Sequence, residues 1–322
     1  MRKEAHHVME PQRPNMTRRS PFVLVYSLLL VAFSGYVLLD TFVIPRAYAT
    51  AEVSALRVGA VGEANSGATA DGDEVSEITG QARSTNSAPV RTEFSQLRYL
   101  DTTVYVVDIQ TDDAQQLLAA LANDTYGKNI TATTSDMAEE NGATVAIYGD
   151  FYGARNSGYV VRNGVLYRDV AASADQEDLV IYDDGSFEVI QEGDVSAQEL
   201  VESGAWQVFS FGPGLVVDGS VSVDENDEVG RAKASNPRTA IGRVSDGHYV
   251  LVVADGRTNE SAGLSLQELA TFMKEELGVT CAYNLDGGGS STLWYEGEVV
   301  NNPTSGHGSK ERSVSDIVYL TK

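Results

Sequence analysis

A long uncharged run near the N-terminus sets the first constraint on this chain. Residues 22–39 read FVLVYSLLLVAFSGYVLL, without a charged side chain. A run of this length matches the hydrocarbon thickness of a bilayer. Arginine and lysine residues precede it, which favours a cytoplasmic N-terminus. The sequence therefore predicts a basic cytoplasmic segment over residues 1–21 and a single membrane span over residues 22–44. The rest of the chain would lie outside the cytoplasm.

A cleaved signal peptide is the alternative reading of the same segment. Residues 47–49 read AYA, which resembles a small-residue cleavage site, and cleavage after Ala49 would release a secreted protein. The apolar run is long for a signal peptide, and this favours an uncleaved anchor. The mass of the mature N-terminus distinguishes the two.

Composition divides the rest of the chain into a stalk and a folded domain. Residues 51–89 are rich in Ala, Gly, Ser, Thr and Glu and contain no aromatic residue. Such a segment buries too little apolar surface to offset the entropy of ordering it. The sequence predicts a flexible, low-complexity stalk over residues 45–92 and one globular domain over residues 93–322.

Charge and cysteine content narrow the classes of partner. The chain of 322 residues has a formal net charge of −23, which opposes binding to nucleic acid because polyanions are repelled. Cys281 is its one cysteine, so no intrachain disulfide can form. We interpret Cys281 as a small buried strand residue.

Turn and periodicity signals predict an α+β domain. Four Asn-Gly or Asp-Gly pairs lie between apolar runs, as in hairpins, at 163–164, 184–185, 218–219 and 246–247. Residues 102–110 and 144–153 read as strands, and residues 112–123 and 135–142 as helices. Many hairpins and few helices indicate a mixed, largely antiparallel sheet with a few packed helices.

The clearest helix precedes the most informative loop. Ser265 and Glu268 form a capping-box pattern, an apolar helical stripe follows, and Gly278 suits the helix end. The next segment, VTCAYNLD, then reads as a buried strand that ends at Asp286. The GGGSS that follows is flanked closely by strands on both sides, so it is not a linker.

Three aspartates at predicted strand ends are candidates for chemistry. Asp150, Asp255 and Asp286 each follow an apolar strand and adjoin a glycine. Cleavage of a glycosidic bond requires carboxylates placed around the anomeric carbon. Consecutive glycines also permit a nest of backbone N–H groups that binds anions. A plain turn remains an alternative for each of them.

Arginines, hydroxyls and one histidine complete the candidate set. Arg238, Arg257 and Arg312 adjoin predicted strands, and guanidinium groups bind phosphate in a bidentate manner. A surface ion pair is the alternative for each. His307 lies in a loop that we expect to reach the site. The sequence contains no GxSxG, HExxH, paired CxxC or P-loop motif, so acyl transfer, zinc hydrolysis and nucleotide binding are unsupported.

The order of these segments resembles the phosphodiester glycosidase family. The similar stretches are NPRTAIGRVSDGHYVLVVADGR, GLSLQELATFMKEELGV, AYNLDGGGSSTLWYEGEVVNNP and ERSVSDIVYL, with YGDFYGARNSGYVVRNGVLYRD upstream. The resemblance covers about residue 94 to the end. It implies hydrolysis of a sugar–phosphate–sugar linkage at its anomeric bond, and bacterial relatives are linked with exopolysaccharide or the cell envelope. The matching positions are Asp150, Arg238, Asp255, Gly256, Arg257, Asp286, Gly287, Gly288, Gly289, Ser290, Ser291, Thr292 and Arg312.

Both lines of reasoning lead to one expected mechanism and two alternatives. Asp286 would act as nucleophile or base with Asp150 as the second carboxylate, while Asp255 orients an arginine or a sugar hydroxyl. Arg238, Arg312 and the loop amides would bind phosphate. No cofactor is required, and a bridging divalent cation is left open. The alternatives are a non-catalytic phosphoglycan-binding envelope module and a different phosphoesterase.

One departure from the family pattern bears on the substrate. The family usually places asparagine before the glycine of the upstream motif, and this chain has Tyr148 there. An amide that bonds a sugar hydroxyl is thereby lost. The cysteine-rich additions of the animal members are also missing, so targeting to lysosomal glycoproteins is not implied.

Overall fold

The computed structural model describes residues 21–50, 90–224, 235–305 and 308–322. The predicted basic N-terminus up to residue 20, residues 51–89 of the predicted stalk, and His307 lie outside these ranges. Contacts divide the chain into two units, Met1–Ile44 and Pro45–Lys322. The first contains helix α1, Pro21–Phe42, which is long and apolar enough to cross a bilayer.

The second unit contains many strands and few helices. Its described α-helices are α2 (Thr134–Glu140), α3 (Ala197–Glu202) and α4 (Leu266–Glu275). Its described strands are β1 (Arg46–Thr50), β2 (Arg91–Tyr99), β3 (Thr102–Gln110), β4 (Leu118–Leu121), β5 (Thr125–Lys128), β6 (Val145–Tyr148), β7 (Val160–Arg162), β8 (Val165–Arg168), β9 (Glu177–Tyr182), β10 (Phe187–Gln191), β11 (Ala205–Phe209), β12 (Gly214–Val217), β13 (Ser220–Val221), β14 (Arg238–Ser245), β15 (His248–Ala254), β16 (Cys281–Leu285), β17 (Leu293–Tyr295), β18 (Glu298–Val299), β19 (Thr304–Ser305), β20 (Gly308–Ser309) and β21 (Asp316–Leu320).

Three sheets of these strands build the domain. A seven-stranded sheet has the order β13-β12-β16-β14-β15-β3-β2, and two five-stranded sheets have the orders β18-β17-β6-β21-β4 and β10-β9-β11-β7-β8. The named strands pair in antiparallel fashion. The largest core cluster draws buried side chains from all three sheets. The predicted α+β class is confirmed.

Helix α4 forms where its capping box predicts. The Ser265 hydroxyl accepts from the Glu268 amide at 3.2 Å, and the Glu268 carboxylate accepts from the Ser265 amide at 2.8 Å. These bonds satisfy two amides that a helix start would otherwise leave unpaired. The apolar face of α4, which includes Leu269 and Met273, packs against side chains of the seven-stranded sheet. This packing covers the face of the sheet beside strand β16, which leads to Asp286.

The structure confirms the four predicted hairpins and contradicts one predicted helix. Each of the four Asn-Gly or Asp-Gly pairs joins two antiparallel partners, namely β7–β8, β9–β10, β12–β13 and β14–β15. The helix predicted over 112–123 is wrong. That segment holds a short 3-10 turn and strand β4, because Leu118–Leu121 pairs with β21. Tertiary pairing overrides the helical propensity of its leucines and alanines.

Both ends of the predicted stalk contain strands. Strand β1 occupies residues 46–50 and pairs with β5, and β2 already begins at Arg91. The stalk boundaries of 45 and 92 are therefore too wide at both ends.

Candidate active site

Three neighbouring strands bring Arg238, Arg257 and Asp286 to one edge of the seven-stranded sheet, where the strands begin or end. Arg238 opens β14 and lies opposite Ala254, the last residue of β15. Thr239 lies opposite Leu285, the last residue of β16. Because the strands are antiparallel, the start of β14 and the ends of β15 and β16 meet at the same edge.

A cavity of ≈ 570 Å³ opens at this edge. It contains four arginines, Arg155, Arg238, Arg257 and Arg312, and Asp286 is the one carboxylate among its described lining residues. Positive charge is thereby concentrated locally in a chain whose net charge is −23. The remaining lining residues are Gln176, Phe211, Gly212, Pro213, Asn236, Pro237, Leu266, Asn284, Leu285, Gly287, Gly288 and Gly289.

Asp286 is held by its own loop. The amide of Gly287 donates to its Oδ1 at 2.9 Å, and the Ser290 hydroxyl donates to its Oδ2 at 3.0 Å. Burial raises the pKa of the Asp286 carboxyl to about 6, although the Ser290 hydrogen bond and the charges of Arg312 and Arg155 act in the opposite direction. A carboxylate with this pKa is ionised at neutral pH and can accept a proton.

Neighbouring groups orient the arginines toward the cavity. Nε of Arg238 donates to the Leu264 carbonyl at 2.7 Å, and the side chain is 7% exposed. Nε and Nη2 of Arg257 donate to Oδ1 of Asn236 at 3.2 and 2.9 Å. Nη1 of Arg312 lies 3.5 Å from the Ser290 hydroxyl. These anchoring bonds fix the guanidinium groups at the cavity wall.

The glycine loop makes room for two of these arginines. A Cβ added to Gly288 would stand 3.0 Å from Nη2 of Arg257, and one added to Gly289 would stand 3.1 Å from Nη2 of Arg312. Glycine at these positions therefore lets the guanidinium groups lie directly against the backbone.

The loop amides, however, are engaged within the protein. The amide of Gly288 donates to the Pro237 carbonyl, that of Ser290 to Gly287, and that of Ser291 to Gly288. With the Gly287 amide on Asp286, little of the predicted anion nest remains. The loop amides of Gly287, Gly288, Ser290 and Ser291 are therefore not placed as the free anion donors that the sequence predicts.

The structure does not bring Asp150 to the cavity. Its side chain is 0% exposed and receives hydrogen bonds from the amides of Tyr152 at 2.9 Å and Ser210 at 3.0 Å. It also pairs with Nη2 of Arg162 at 2.9 Å, and Nε of the same arginine pairs with Asp316 at 2.8 Å. A carboxylate without exposed surface cannot contact substrate, so the assignment of Asp150 as the second catalytic carboxylate is corrected.

Asp255 also lies behind the cavity wall. Its carboxylate accepts from the Tyr105 hydroxyl at 3.0 Å, the Asn301 side chain at 3.2 Å and the Asn302 amide at 2.9 Å. It therefore ties the 301–302 loop to the end of β15, which leads to Arg257. Its predicted placement among the catalytic residues is corrected to a structural one.

The predicted hydroxyl residues are buried. Ser290 and Ser291 are each 1% exposed and Thr292 is 0% exposed. Ser290 holds Asp286, and the Ser291 hydroxyl lies 3.2 Å from that of Thr239. Direct contact with substrate is therefore not supported for these three. Across the described ranges, no group of three or more His, Cys, Asp or Glu side chains converges as a metal site.

Sequence reasoning missed Arg155 and Asn284. Nη1 of Arg155 donates to the Ser210 carbonyl at 3.2 Å, and its guanidinium lies 5.5 Å from the centroid of the Phe211 ring. Nδ2 of Asn284 donates to the Gly212 carbonyl at 2.7 Å. This bond fixes the amide orientation, and the buried Oδ1 has no partner. Asn284 lies in β16, and Asp286 directly follows that strand; both line the cavity.

A second cavity, of ≈ 490 Å³, lies at the opposite end of the same sheet. It is lined by Arg91, Gln110, Thr111, Asp112, Ser245, Asp246, Gly247 and His248. None of the predicted site residues contributes to it. His248 there contacts Asp108 at 2.6 Å between Nε2 and Oδ2.

Comparison with known protein sequences matches the part of the chain that contains this site. The model of the phosphodiester glycosidase family matches residues 141–321. The Bacillus subtilis SPbeta prophage-derived protein YomE is 33% identical over 202 residues, which are 61% of this chain and 30% of that protein. Human N-acetylglucosamine-1-phosphodiester alpha-N-acetylglucosaminidase is 32% identical over 190 residues, 54% of this chain and 36% of that protein.

Solved structures share the fold. The zebrafish N-acetylglucosamine-1-phosphodiester alpha-N-acetylglucosaminidase catalytic domain, auto-inhibited by its pro-peptide, superposes with a TM-score of 0.56 at 22% identity, over 74% of this chain and 85% of that one. A hypothetical protein from Synechocystis gives 0.51 at 15% identity, over 74% and 64%. The curated relatives are matched over about a third of their length. The matched family model spans more than half of the chain, and the chain therefore belongs to the phosphodiester glycosidase family.

Proposed function

We propose that this protein hydrolyses the anomeric bond of a glycosyl phosphodiester. The observation that carries the proposal is that Asp286, the one carboxylate among the described residues lining the cavity, shares it with four arginines. Four guanidinium groups suit a phosphate ligand, because they offer charge-assisted donors in a fixed geometry. The family and the activity named for its animal relatives support the same reaction.

The chemistry of the leaving group explains why one carboxylate suffices. In most glycosidases a second carboxyl group protonates the departing oxygen. Here the departing oxygen belongs to a phosphate, which leaves as a monoester anion without that proton. Arg238, Arg257, Arg312 and Arg155 stabilise the charge that develops on it.

The hydrolytic step uses Asp286 as the base. A water oxygen attacks the anomeric carbon and gives a proton to the Asp286 carboxylate, while the C–O bond breaks and its electron pair goes to the phosphate oxygen. The products are the free sugar and a phosphate monoester.

The setting belongs to the same proposal. Helix α1 anchors the chain in the cell membrane with the N-terminus in the cytoplasm, and the substrate is a phosphate-linked glycan of the cell envelope or exopolysaccharide. The apolar helix and the basic residues before it support this topology. The proposed hydrolysis uses water and the residues named above, and it requires no cofactor.

The test is turnover of a glycosyl-1-phosphodiester by the full chain in detergent. Asp286→Asn keeps the size of the side chain and removes the base, so we expect kcat to fall by about 10²–10⁴. Asp112→Asn, an exposed aspartate at the other end of the sheet, is the matched control and should leave kcat unchanged.

The outcomes separate the alternatives. Release of free sugar by the parent and loss in Asp286→Asn support the proposal. Tight binding without turnover in the parent would instead identify a phosphoglycan-binding module. Phosphate–alcohol cleavage without release of the sugar would identify a different phosphoesterase.

A further inference from the structure

The residues directly after the apolar helix are a strand of the folded domain. Strand β1 pairs with β5 in antiparallel register, with Arg46 opposite Lys128 and Ala47 opposite Gly127. The sheet has only these two strands among the described residues. Without β1, the backbone of β5 would therefore lose its strand partner.

Gly127 is shaped for this partner. A Cβ added there would stand 2.0 Å from the carbonyl oxygen of Arg46 and 2.9 Å from Cα of Ala47. No L-residue with a side chain fits while β1 stays at this distance. The glycine thus permits the close approach of two backbones.

An aromatic cluster covers the other end of the strand. The Tyr48 ring lies 5.9 Å from that of Tyr126, which in turn lies 5.4 Å from Tyr152 and 5.1 Å from Tyr167. Ala49 packs against the buried side chains of the same cluster. Rings at these separations stabilise a contact beyond the area they bury.

The cluster reaches the turn that carries a cavity arginine. The Tyr152 amide donates to Asp150 at 2.9 Å, and the Arg155 amide donates to the Tyr152 carbonyl at 3.1 Å. Strand β5 is therefore linked through Tyr126 and Tyr152 to the turn before Arg155. The surface that binds β1 is therefore continuous with the turn that positions Arg155 in the cavity.

We propose that residues 46–50 are a permanent strand of the domain, and that the surface formed by β5, Gly127 and Tyr126 is built to hold this segment of the same chain. Cleavage after Ala49 would cut inside β1, so the mature chain keeps its apolar helix. Residues 51–89 then connect two strands of one folded unit and do not serve as a stalk. This inference stands without the catalytic proposal.

Paired cysteines test the register in the full chain. Directly opposed residues of an antiparallel pair have Cα atoms about 4.5–5.5 Å apart, within disulfide range. We expect Arg46→Cys with Lys128→Cys to lose both new thiols under mild oxidation. Arg46→Cys with Thr125→Cys, about 10 Å out of register, should keep them. Native Cys281 is buried and burial raises its pKa to about 12, so it does not interfere. Equal oxidation of the two pairs, or none in either, overturns the proposal.

A substitution that blocks the surface of β5 tests whether β1 stays bound to the domain. In the parent we expect an intact mass that includes the Ala49–Thr50 bond, and slow trypsin cleavage after Arg46. Gly127→Val should speed that cleavage by about ten-fold or more, because the new side chain excludes β1. Gly297→Val, at a turn where an added Cβ meets no atom within 4 Å, controls for general loss of stability. A mature chain that begins at Thr50, or equal cleavage in both variants, contradicts the inference.

Discussion

Two groups of aspartate and arginine side chains in this domain differ in their access to solvent. In the open cavity, Asp286 shares the space with four arginines that are anchored to carbonyls, an amide and a hydroxyl. In the interior, Arg162 lies between Asp150 and Asp316, and the three side chains are at most 1% exposed. The open group presents cationic surface to solvent, whereas in the closed group two buried carboxylates engage the single guanidinium of Arg162.

The difference between the two groups lies in what surrounds each carboxylate. Asp150 and Asp286 both follow a buried strand and adjoin a glycine. Around Asp150, two backbone amides and a guanidinium occupy the carboxylate. Around Asp286, one amide and one hydroxyl do so, and a cavity remains in front. Chemistry at a strand end thus depends on residues that are distant in the chain.

Removing the cation from the closed group should have the largest effect. In Arg162→Met, Asp150 and Asp316 are left buried without their partner. We expect the free energy of unfolding to fall by about 3–5 kcal/mol, measured by urea denaturation. Asp246→Asn, which removes the exposed Arg243–Asp246 pair, should cost less than about 1 kcal/mol. Similar losses in the two variants would show that burial does not distinguish these ion pairs.

Removing a cation from the open group should affect catalysis and spare stability. Arg312→Ala is expected to lower kcat/KM by about 10–100-fold, because one charge-assisted contact with phosphate is lost. The charge of Arg312 also lowers the pKa of Asp286, which is about 6. The acid limb of the pH profile, where Asp286 must be ionised, should therefore move to higher pH. An unchanged limb would show that this arginine does not face Asp286 in the working enzyme.

Asp178 and Glu192 form a second buried pair of acids, and the titration of Asp178 gives a further test of how burial affects a carboxyl group. Neither oxygen of Asp178 has a hydrogen-bond partner, whereas Glu192 accepts from the Tyr159 amide and the Ser210 hydroxyl at 2.9 Å each. Burial, followed by the charge of Glu192, raises the pKa of Asp178 to about 9. Since this is above the unfolded value of about 4, its contribution to stability is present at low pH and is lost as the pH rises through about 9.

Asp178→Asn removes this titration. At pH 8 the variant should be more stable than the parent by at least about 1–2 kcal/mol, since unfolding of the parent releases a proton that folded Asp178 retains, whereas the amide does not titrate. At pH 4 the difference should be small. Melting curves of both proteins at both pH values check this, and a difference between variant and parent that does not change with pH would contradict the assignment.

The smallest expected effect concerns Asn284 in the wall of the open cavity. Its Nδ2 donates to the Gly212 carbonyl, and Asn284→Ala removes this hydrogen bond. We expect kcat/KM to fall by about 3–10-fold, equally on the natural sugar and on its deoxy analogues, because one neutral hydrogen bond that supports the wall is lost. A loss that disappears on one deoxy analogue would instead show direct contact with that sugar hydroxyl.

Local sequence patterns predicted the elements that depend on interactions between residues close in the chain, such as turns and helix caps. The hairpin pairs, the Ser265–Glu268 capping box and the strand that ends at Asp286 were all found as expected, and the segment order led to the correct family. Arg238, Arg257, Asp286 and Arg312 line one cavity as the sequence suggests. The convergence of Arg238, Arg257 and Asp286 follows from the antiparallel order of β14, β15 and β16, whereas Arg312 comes from the segment before β21 of another sheet.

Long-range contacts account for what the sequence did not reveal. Nothing near Asp150 indicates that Arg162 and Asp316 enclose it, because Asp316 is far along the chain. Arg155 lies in an irregular turn that has no periodic signal. The strand character of residues 46–50 and 118–121 depends on partners, β5 and β21, that are distant or weakly patterned.

The arginine-lined cavity also bears on how the proposed enzyme would behave as product accumulates. A phosphodiester carries one negative charge, whereas the monoester released from it carries nearly two at neutral pH. Four guanidinium groups facing one carboxylate favour the more highly charged species. Under the proposed function, we expect product release to limit turnover and phosphate monoesters in the surroundings to inhibit the enzyme.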